Sequence, residues 1–267
     1  MSAEGGEFRE RVVVVTGAAH GIGQATAHRY AEEGARLVLA DLDVAGAQLV
    51  AEECGGRGAQ ALAVGFDQRS SASVAEMVAA AHDRFGPVDV LANVAGIYPG
   101  AAITATTDEM WDDVVRNNLT GVFYCCRAVL PDMRERGGAI VSVASGAAVR
   151  PIEGMAAYAA SKGGLAAFSR VLALEAAPLV RVNVVAPGPT ATDGVRAAFS
   201  AGPAGADRAA TGAGDGGTER SGLDASLLLE RWGRPAEIAD VIVFLTSDRA
   251  SFVTGQMIHV NGGRSMM

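Results

Sequence analysis

Lysine is almost absent from this chain. Of its 22 basic residues 21 are arginine, and the one lysine is Lys162, in the stretch AAYAASKGGL. A sequence that writes arginine wherever it needs positive charge has kept one ammonium, four residues after Tyr158. Cysteine is scarce too, with only Cys54, Cys125 and Cys126. They make no disulfide framework, and the adjacent pair is poorly spaced for a metal. In GVFYCCRAVL they read as small hydrophobes on an apolar helix. The four histidines, His20, His28, His82 and His259, fall into no His-x-x-x-His or His-x-Glu pattern, so no metal is expected. An excess of positive charge is also missing. The formal charge is −8, which leaves no basic stripe to displace counterions and excludes nucleic acid as a partner. No run reaches the roughly 18 apolar residues of a membrane span, and the acidic start MSAEGGEFRE has no apolar signal core. The expected setting is the cytoplasm, away from membranes.

What the chain does have is apolar residues, 49% of 267 against 19% charged, enough for a sizeable core. They come in short β-branched runs: RVVVVTG (11–17), RLVLAD (36–41), AQALAVGFD (59–67), VDVLANVAG (88–96), GAIVSVAS (138–145), VRVNVVAPG (180–188) and QMIHVNGG near the end. Amphipathic segments separate them, and WDDVVRNNLTGVFYCCRAVLPDM reads as one long helix. Seven strands alternating with helices imply an α/β fold, a doubly wound parallel sheet with helices on both faces, as a single domain over 1–267. Ligands of such sheets lie beyond the carboxyl ends of the strands. The exception to the pattern is 198–226, rich in Gly and Ala without any period. It follows a strand end, and a flexible substrate lid is expected around 193–230.

The turn after the first strand, TGAAHGIG, carries Gly17, Gly21 and Gly23. Glycines there let the backbone approach a pyrophosphate, and the N–H groups of the helix that follows face it. Asp41 closes the second strand 20 residues after Gly21, the separation of an acid that accepts hydrogen bonds from adenosine ribose hydroxyls. An aspartate there repels a 2′-phosphate. His20 stands where an arginine could have supported NADP, so NAD is the expected cofactor and NADP the less favoured one. A competing reading has Asp41 merely capping the next helix.

TGAAHGIG, NVAG, NLTG (118–121), a serine 13 positions before YAASK, VNVVAPGPTAT and the tail RWGRPAEIADVIVFLTSDRASFVTGQMIHVNGG together resemble the short-chain dehydrogenase/reductase family. The resemblance implies a Rossmann-type sheet and hydride transfer between a secondary alcohol and nicotinamide. Residue by residue, it implies a catalytic set of Asn118, Ser145, Tyr158 and Lys162. Tyr158 would be the general acid/base, its pKa brought down by the Lys162 ammonium and the nicotinamide. Lys162 would also bind the nicotinamide ribose, Ser145 would hold the substrate oxygen, and Asn118 would position Lys162 through a water. Cofactor contacts would come from Gly17, His20, Gly21, Ile22 and Gly23, from Asp41 and Asp67, from Asn93, Ala95 and Gly96, from Tyr158 and Lys162, and from Pro187, Gly188, Thr190 and Thr192. Val94 stands where the family often has a second Asn, and Asn261 where many members have Asp, at most a matter of a structural turn.

The first expectation for the substrate is a sugar, polyol or other hydroxy compound. An NADPH-dependent ketone or 3-oxoacyl reductase is the alternative, and a catalytically idle nucleotide-binding scaffold the remote one. Substrate-facing positions hold Tyr98, Arg150 and Glu153 beside Ile97 and Met155, which leaves the pocket undecided between polar and apolar. Arg150 and Glu153 could equally pair with each other. A homotetramer is implied through NNLTGVFYCCRAVL, YAASKGGLAAFSRVL and the last strand.

Overall fold

Each β-branched run becomes a strand: β1 (Val12–Thr16), β2 (Arg36–Asp41), β3 (Gln60–Gly65), β4 (Val90–Asn93), β5 (Gly138–Val143), β6 (Val180–Pro187) and β7 (Met257–Val260). All five residues of VVVVT are buried, as expected for a strand covered on both faces. The computed structural model describes residues 6–194 and 227–265. Most of the lid expected around 193–230 therefore lies outside the described residues.

The seven strands form one parallel sheet in the order β3-β2-β1-β4-β5-β6-β7. The chain winds outward from β1 to β3, then returns to lay β4 against the other side of β1. That reversal opens a crevice beyond the carboxyl ends of β1 and β4. Helices α1 (Gly21–Glu32), α2 (Val44–Gly56) and α7 (Pro235–Thr246) cover one face. Helices α3 (Ser71–Phe85), α5 (Val122–Arg136) and α6 (Ala156–Ala176) cover the other. Alternation along β1 divides the two cores, with Val13 and Val15 on the α1 side and Val14 on the α3 side. Cys125 and Cys126 are buried in the second core, and burial pushes the Cys126 thiol up to about 12.

Two boundaries differ from the sequence expectation. The third strand stops at Gly65, which leaves Asp67 in the turn beyond it. The long helix is interrupted: α4 (Asp108–Val115) runs into a π-helical turn, Arg116–Gly121, before α5 begins. Tertiary contacts hold that bulge. A Cβ on Gly121 would lie 2.7 Å from the Gln68 carbonyl oxygen, and the Asn118 amide is tied to a neighbouring loop described below. Such bulges recur at functional sites.

Candidate active site

The Gly-rich turn joins β1 to α1. Gly17 and Gly21 have φ of 68° and 57°, a region that a side chain strains. A Cβ on Gly23 would sit 1.8 Å from the Gly17 carbonyl oxygen, so only glycine lets the helix start this close to the strand. Asp43, Ser70 and Thr107 cap α2, α3 and α4 with their side chains, but α1 has no side-chain cap. Its leading N–H groups are left for an anion, and the helix dipole favours one. Ile22 packs against the core on the α1 side of the sheet, and Ala95 lies against Gly17. Asp41 is anchored at the rim. Its Oδ2 accepts from the Ala19 N–H and its Oδ1 from the Asp43 N–H, both at 2.9 Å. Asp43 is the cap of α2, accepting from the Gly46 N–H at 3.0 Å, and it also pairs with exposed His20 at 2.9 Å. The capping alternative for Asp41 thus falls to its neighbour.

Further along the same edge, Ser145 follows β5 and Tyr158 rides the first turn of α6. The Ser145 hydroxyl accepts from the Ala147 N–H at 3.1 Å and shares a hydrogen bond with the Tyr158 phenol. Lys162 is one turn on, 3% exposed, donating from Nζ to the Val143 carbonyl at 2.7 Å. Its ammonium lies 5.8 Å from the centre of the Tyr158 ring, and burial brings its pKa from 10.5 down to about 8. A Cβ on Gly96 would be 3.2 Å from that Nζ and 3.1 Å from Asn118 Oδ1. The resemblance implies a phenol lowered by Lys162 together with the nicotinamide; these residues by themselves hold it above its usual 10. Burial is the main cause, a Tyr98 charge acts the same way, and the Ser145 hydrogen bond opposes both.

Several expected side chains are engaged elsewhere. Asn93 Nδ2 donates to Ser142 Oγ at 3.2 Å and to Cys126 Sγ at 3.5 Å inside the core, so only its backbone reaches the edge. Asn118 donates to the Ile97 carbonyl at 2.8 Å, accepts from the Ile97 N–H at 2.9 Å and donates to Ser161 at 3.2 Å. Its amide therefore pins the loop after β4. Asp67 is clasped by Arg69, whose guanidinium also bonds Asp113, and that pairing holds the carboxyl below its usual value. Thr190 Oγ1 donates to the Gly188 carbonyl at 3.0 Å, and the Gly188 N–H to Val260 at 2.9 Å. Thr192 does reach the crevice, its methyl 2.9 Å from where a Gly21 Cβ would be. Asn261, remote in sequence, lies directly against Gly188, so its turn borders the site.

Two residues were not singled out for what they do. Thr16, the one polar residue of its strand, accepts the N–H groups of Val94 and Ala95 and sets the NVAG segment in place. Tyr98 stands edge-on to Tyr158, ring centres 6.3 Å apart at 77°, and its hydroxyl bonds Thr192. A Cβ on Gly194 would lie 2.2 Å from that hydroxyl. Among the described residues no helix is long and apolar enough to cross a membrane, and no group of three or more His, Cys, Asp or Glu could hold a metal.

The family model for short chain dehydrogenases matches residues 11–201. The chain is 36% identical to a 3-oxoacyl-[acyl-carrier-protein] reductase of Escherichia coli over 97% of its own length and 99% of that protein's. Among solved structures, a short-chain dehydrogenase/reductase of the glucose/ribitol dehydrogenase kind from Brucella melitensis superposes with a TM-score of 0.87. It is 37% identical, over 98% of this chain and 100% of that one. A 3-ketoacyl-(acyl-carrier-protein) reductase from the same organism, complexed with NADH, gives 0.84 at 32% identity over 97% and 99%.

Proposed function

The chain belongs to the short-chain dehydrogenase family and is an oxidoreductase, and from that premise we propose that it reduces the ketone of a 3-oxoacyl thioester with NADH. The observation that carries this reading is the 36% identity with a 3-oxoacyl reductase along nearly the whole of both chains. It moves that reaction, the alternative on sequence alone, ahead of sugar or polyol oxidation. The choice of NADH rests on Asp41, whose charge repels a 2′-phosphate, and is supported by the similar reductase complexed with NADH.

The residues fit a nicotinamide dinucleotide. The uncapped start of α1 with Gly17, His20, Gly21, Ile22 and Gly23 would take the pyrophosphate, and Asp41 the adenosine ribose. Asp67 would border the adenine. The backbone of Asn93, Ala95 and Gly96, with Tyr158 and Lys162, would meet the riboses. Pro187, Gly188, Thr190 and Thr192 would meet the carboxamide. When bound, the reduced nicotinamide supplies the hydride. Tyr158 gives its hydroxyl proton to the carbonyl oxygen as negative charge develops there, and Ser145 hydrogen-bonds the same oxygen. Lys162 supplies a field that favours the resulting phenolate until solvent restores the proton. Asn118 acts on position, holding the Ile97 backbone and the π-helical turn in register with Gly96 and Lys162.

Oxidation of NADH and NADPH, followed by absorbance with a 3-oxoacyl thioester, tests this. NADH is expected to be at least about tenfold more efficient, since a like charge set against a phosphate costs several kcal/mol. Turnover with NADPH alone would remove the role of Asp41. Oxidation of polyols without any thioester reduction would restore the other substrate class.

The whole chain would work as one domain. It would assemble as a tetramer through α5, α6 and β7, where Phe123, Val171 and Leu174 are apolar and exposed. Sedimentation at micromolar concentration is expected to give four copies; a monomer would end that part of the proposal.

A further inference from the structure

Arginines in this protein are mostly paired. Arg11, Arg29, Arg36, Arg57, Arg69 and Arg231 each meet a carboxylate. Arg181 spends its guanidinium on the carbonyls of Leu245 and Ser247. Two arginines at one edge of the sheet are not among these. Among the described residues Arg150 has no side-chain partner, and Glu153, three positions on, forms no ion pair with it. Arg264 is partly buried, and its Nε is shielded from solvent with nothing to donate to. A buried donor left unmade costs free energy that a partner would recover.

Both sit at the rim of the crevice. Arg150 ends the short loop that opens at Ser145, its N–H bonded to the Gly146 carbonyl at 2.9 Å. Gly146 lies beside the Pro187 carbonyl, and Gly188 beside Asn261. The turn holding Arg264 is fastened there, with Asn261 Nδ2 donating to the Ser265 carbonyl at 2.9 Å and the Arg264 N–H to the Asn261 carbonyl at 3.1 Å. The ends of β5, β6 and β7 thus bring the loop of Arg150 and the turn of Arg264 together at one edge. Burial holds the Arg264 pKa below its usual value, and the Arg150 charge acts in the same direction.

We propose that Arg150 and Arg264 form an oxyanion site at the rim of the substrate crevice, which takes a carboxylate or phosphate carried by the substrate away from its reacting carbon. A guanidinium offers a fork of N–H donors that matches either group. An oxyanion between the two would satisfy the orphaned Nε and screen one positive charge from the other. The inference rests on the reductase reading for the location of the substrate, and names a feature of that substrate. A phosphorylated pantetheine arm would bring a phosphate, and a free 3-oxo acid a carboxylate.

Two matched pairs of substrates separate these sources: a 3-oxoacyl thioester of pantetheine 4′-phosphate against that of pantetheine, and a free 3-oxo acid against its methyl ester. The readout is the ratio of kcat/KM, charged over uncharged, in the wild type, Arg150→Gln and Arg264→Gln. Losing one charge-assisted pair is expected to lower the ratio by about tenfold to hundredfold in one arm. A ratio that stays within about twofold of wild type in both arms would overturn the proposal. Exposed Arg150 keeps the test open should Arg264→Gln fail to fold. If no thioester or 3-oxo acid turns over, the reductase reading fails, and calorimetry with pantetheine 4′-phosphate and acetoacetate decides the site alone. Binding that the double variant loses supports it, and equal binding or none to the wild type sinks it.

Discussion

Tyr158→Phe is expected to lower kcat for carbonyl reduction by about 10²–10⁴-fold, the usual worth of a positioned proton donor, with little change in KM or stability. Phenylalanine keeps the ring that stands edge-on to Tyr98 and fills the same space. Only the hydroxyl is lost, and with it the hydrogen bond to Ser145. The pH profile sharpens the expectation. Burial raises the phenol, so the proton to be donated is retained through neutral pH, and kcat for reduction should fall only as pH climbs toward the phenol's value in the complex. Tyr98 is the one other phenol beside the site, and its hydroxyl is held by Thr192 and raised by burial as well. Tyr98→Phe should therefore leave the high-pH limb in place, while Tyr158→Phe abolishes it. If Tyr158→Phe turned over at the wild-type rate with an unaltered profile, the proton donor would have to be sought elsewhere.

The parallel sheet was readable because β-branched runs such as VVVVT have few alternatives to a strand buried on both faces. The glycines of TGAAHGIG were readable because each is required: Gly17 and Gly23 meet backbone that leaves no room for a Cβ, and Gly21 has a positive φ with the Thr192 side chain against it. What could not be read was the fate of particular lone pairs. Asp41 and Asp43 are two residues apart and chemically identical, and only the path of the chain makes the second the cap of α2. Asn93 and Asn118 look alike as strand-end and helix amides. Packing sends one into the core toward Ser142 and the other to the Ile97 backbone. The π-helical turn has no local signature, because Gln68 and Ile97, 53 and 21 positions from the residues they hold, create it. The same limit explains Asp67: its clasp by Arg69 is nearly local, but the second carboxylate that holds Arg69, Asp113, lies on α4. Arg264 is legible only in space, since nothing near it in sequence says that the turn after β7 returns to the loop after Ser145.

Lys162→Met should lose most turnover yet match or exceed the wild-type stability at pH 7, and Lys162→Arg should lose on both counts. The ammonium is buried against Val143, and its pKa of about 8, below the usual 10.5, means that the fold disfavours its charged form by about 3 kcal/mol. The sign follows directly. Between about 8 and 10.5 the unfolded chain holds a proton that the folded chain has released, so stability rises with pH across that window, and below it the cost is present in full. Methionine is unbranched and apolar and fills the same channel without that cost, though it gives up the hydrogen bond to Val143, worth about 1 kcal/mol. Its advantage should be largest near pH 7 and shrink as pH passes 8 toward 10. Arginine keeps the charge but adds bulk where Gly96 leaves no slack, and such overpacking costs about 1–3 kcal/mol. Its planar fork also cannot stand in for a compact ammonium beside the Tyr158 ring. Denaturant unfolding at pH 7 and pH 9.5, with kcat for all three proteins, checks this. A methionine variant with normal turnover would make the lysine incidental, and one less stable than the wild type at pH 7 would mean that the ammonium is not buried at a cost. No other lysine exists in the chain, so a lysine side-chain amine followed by NMR can be assigned to this residue alone.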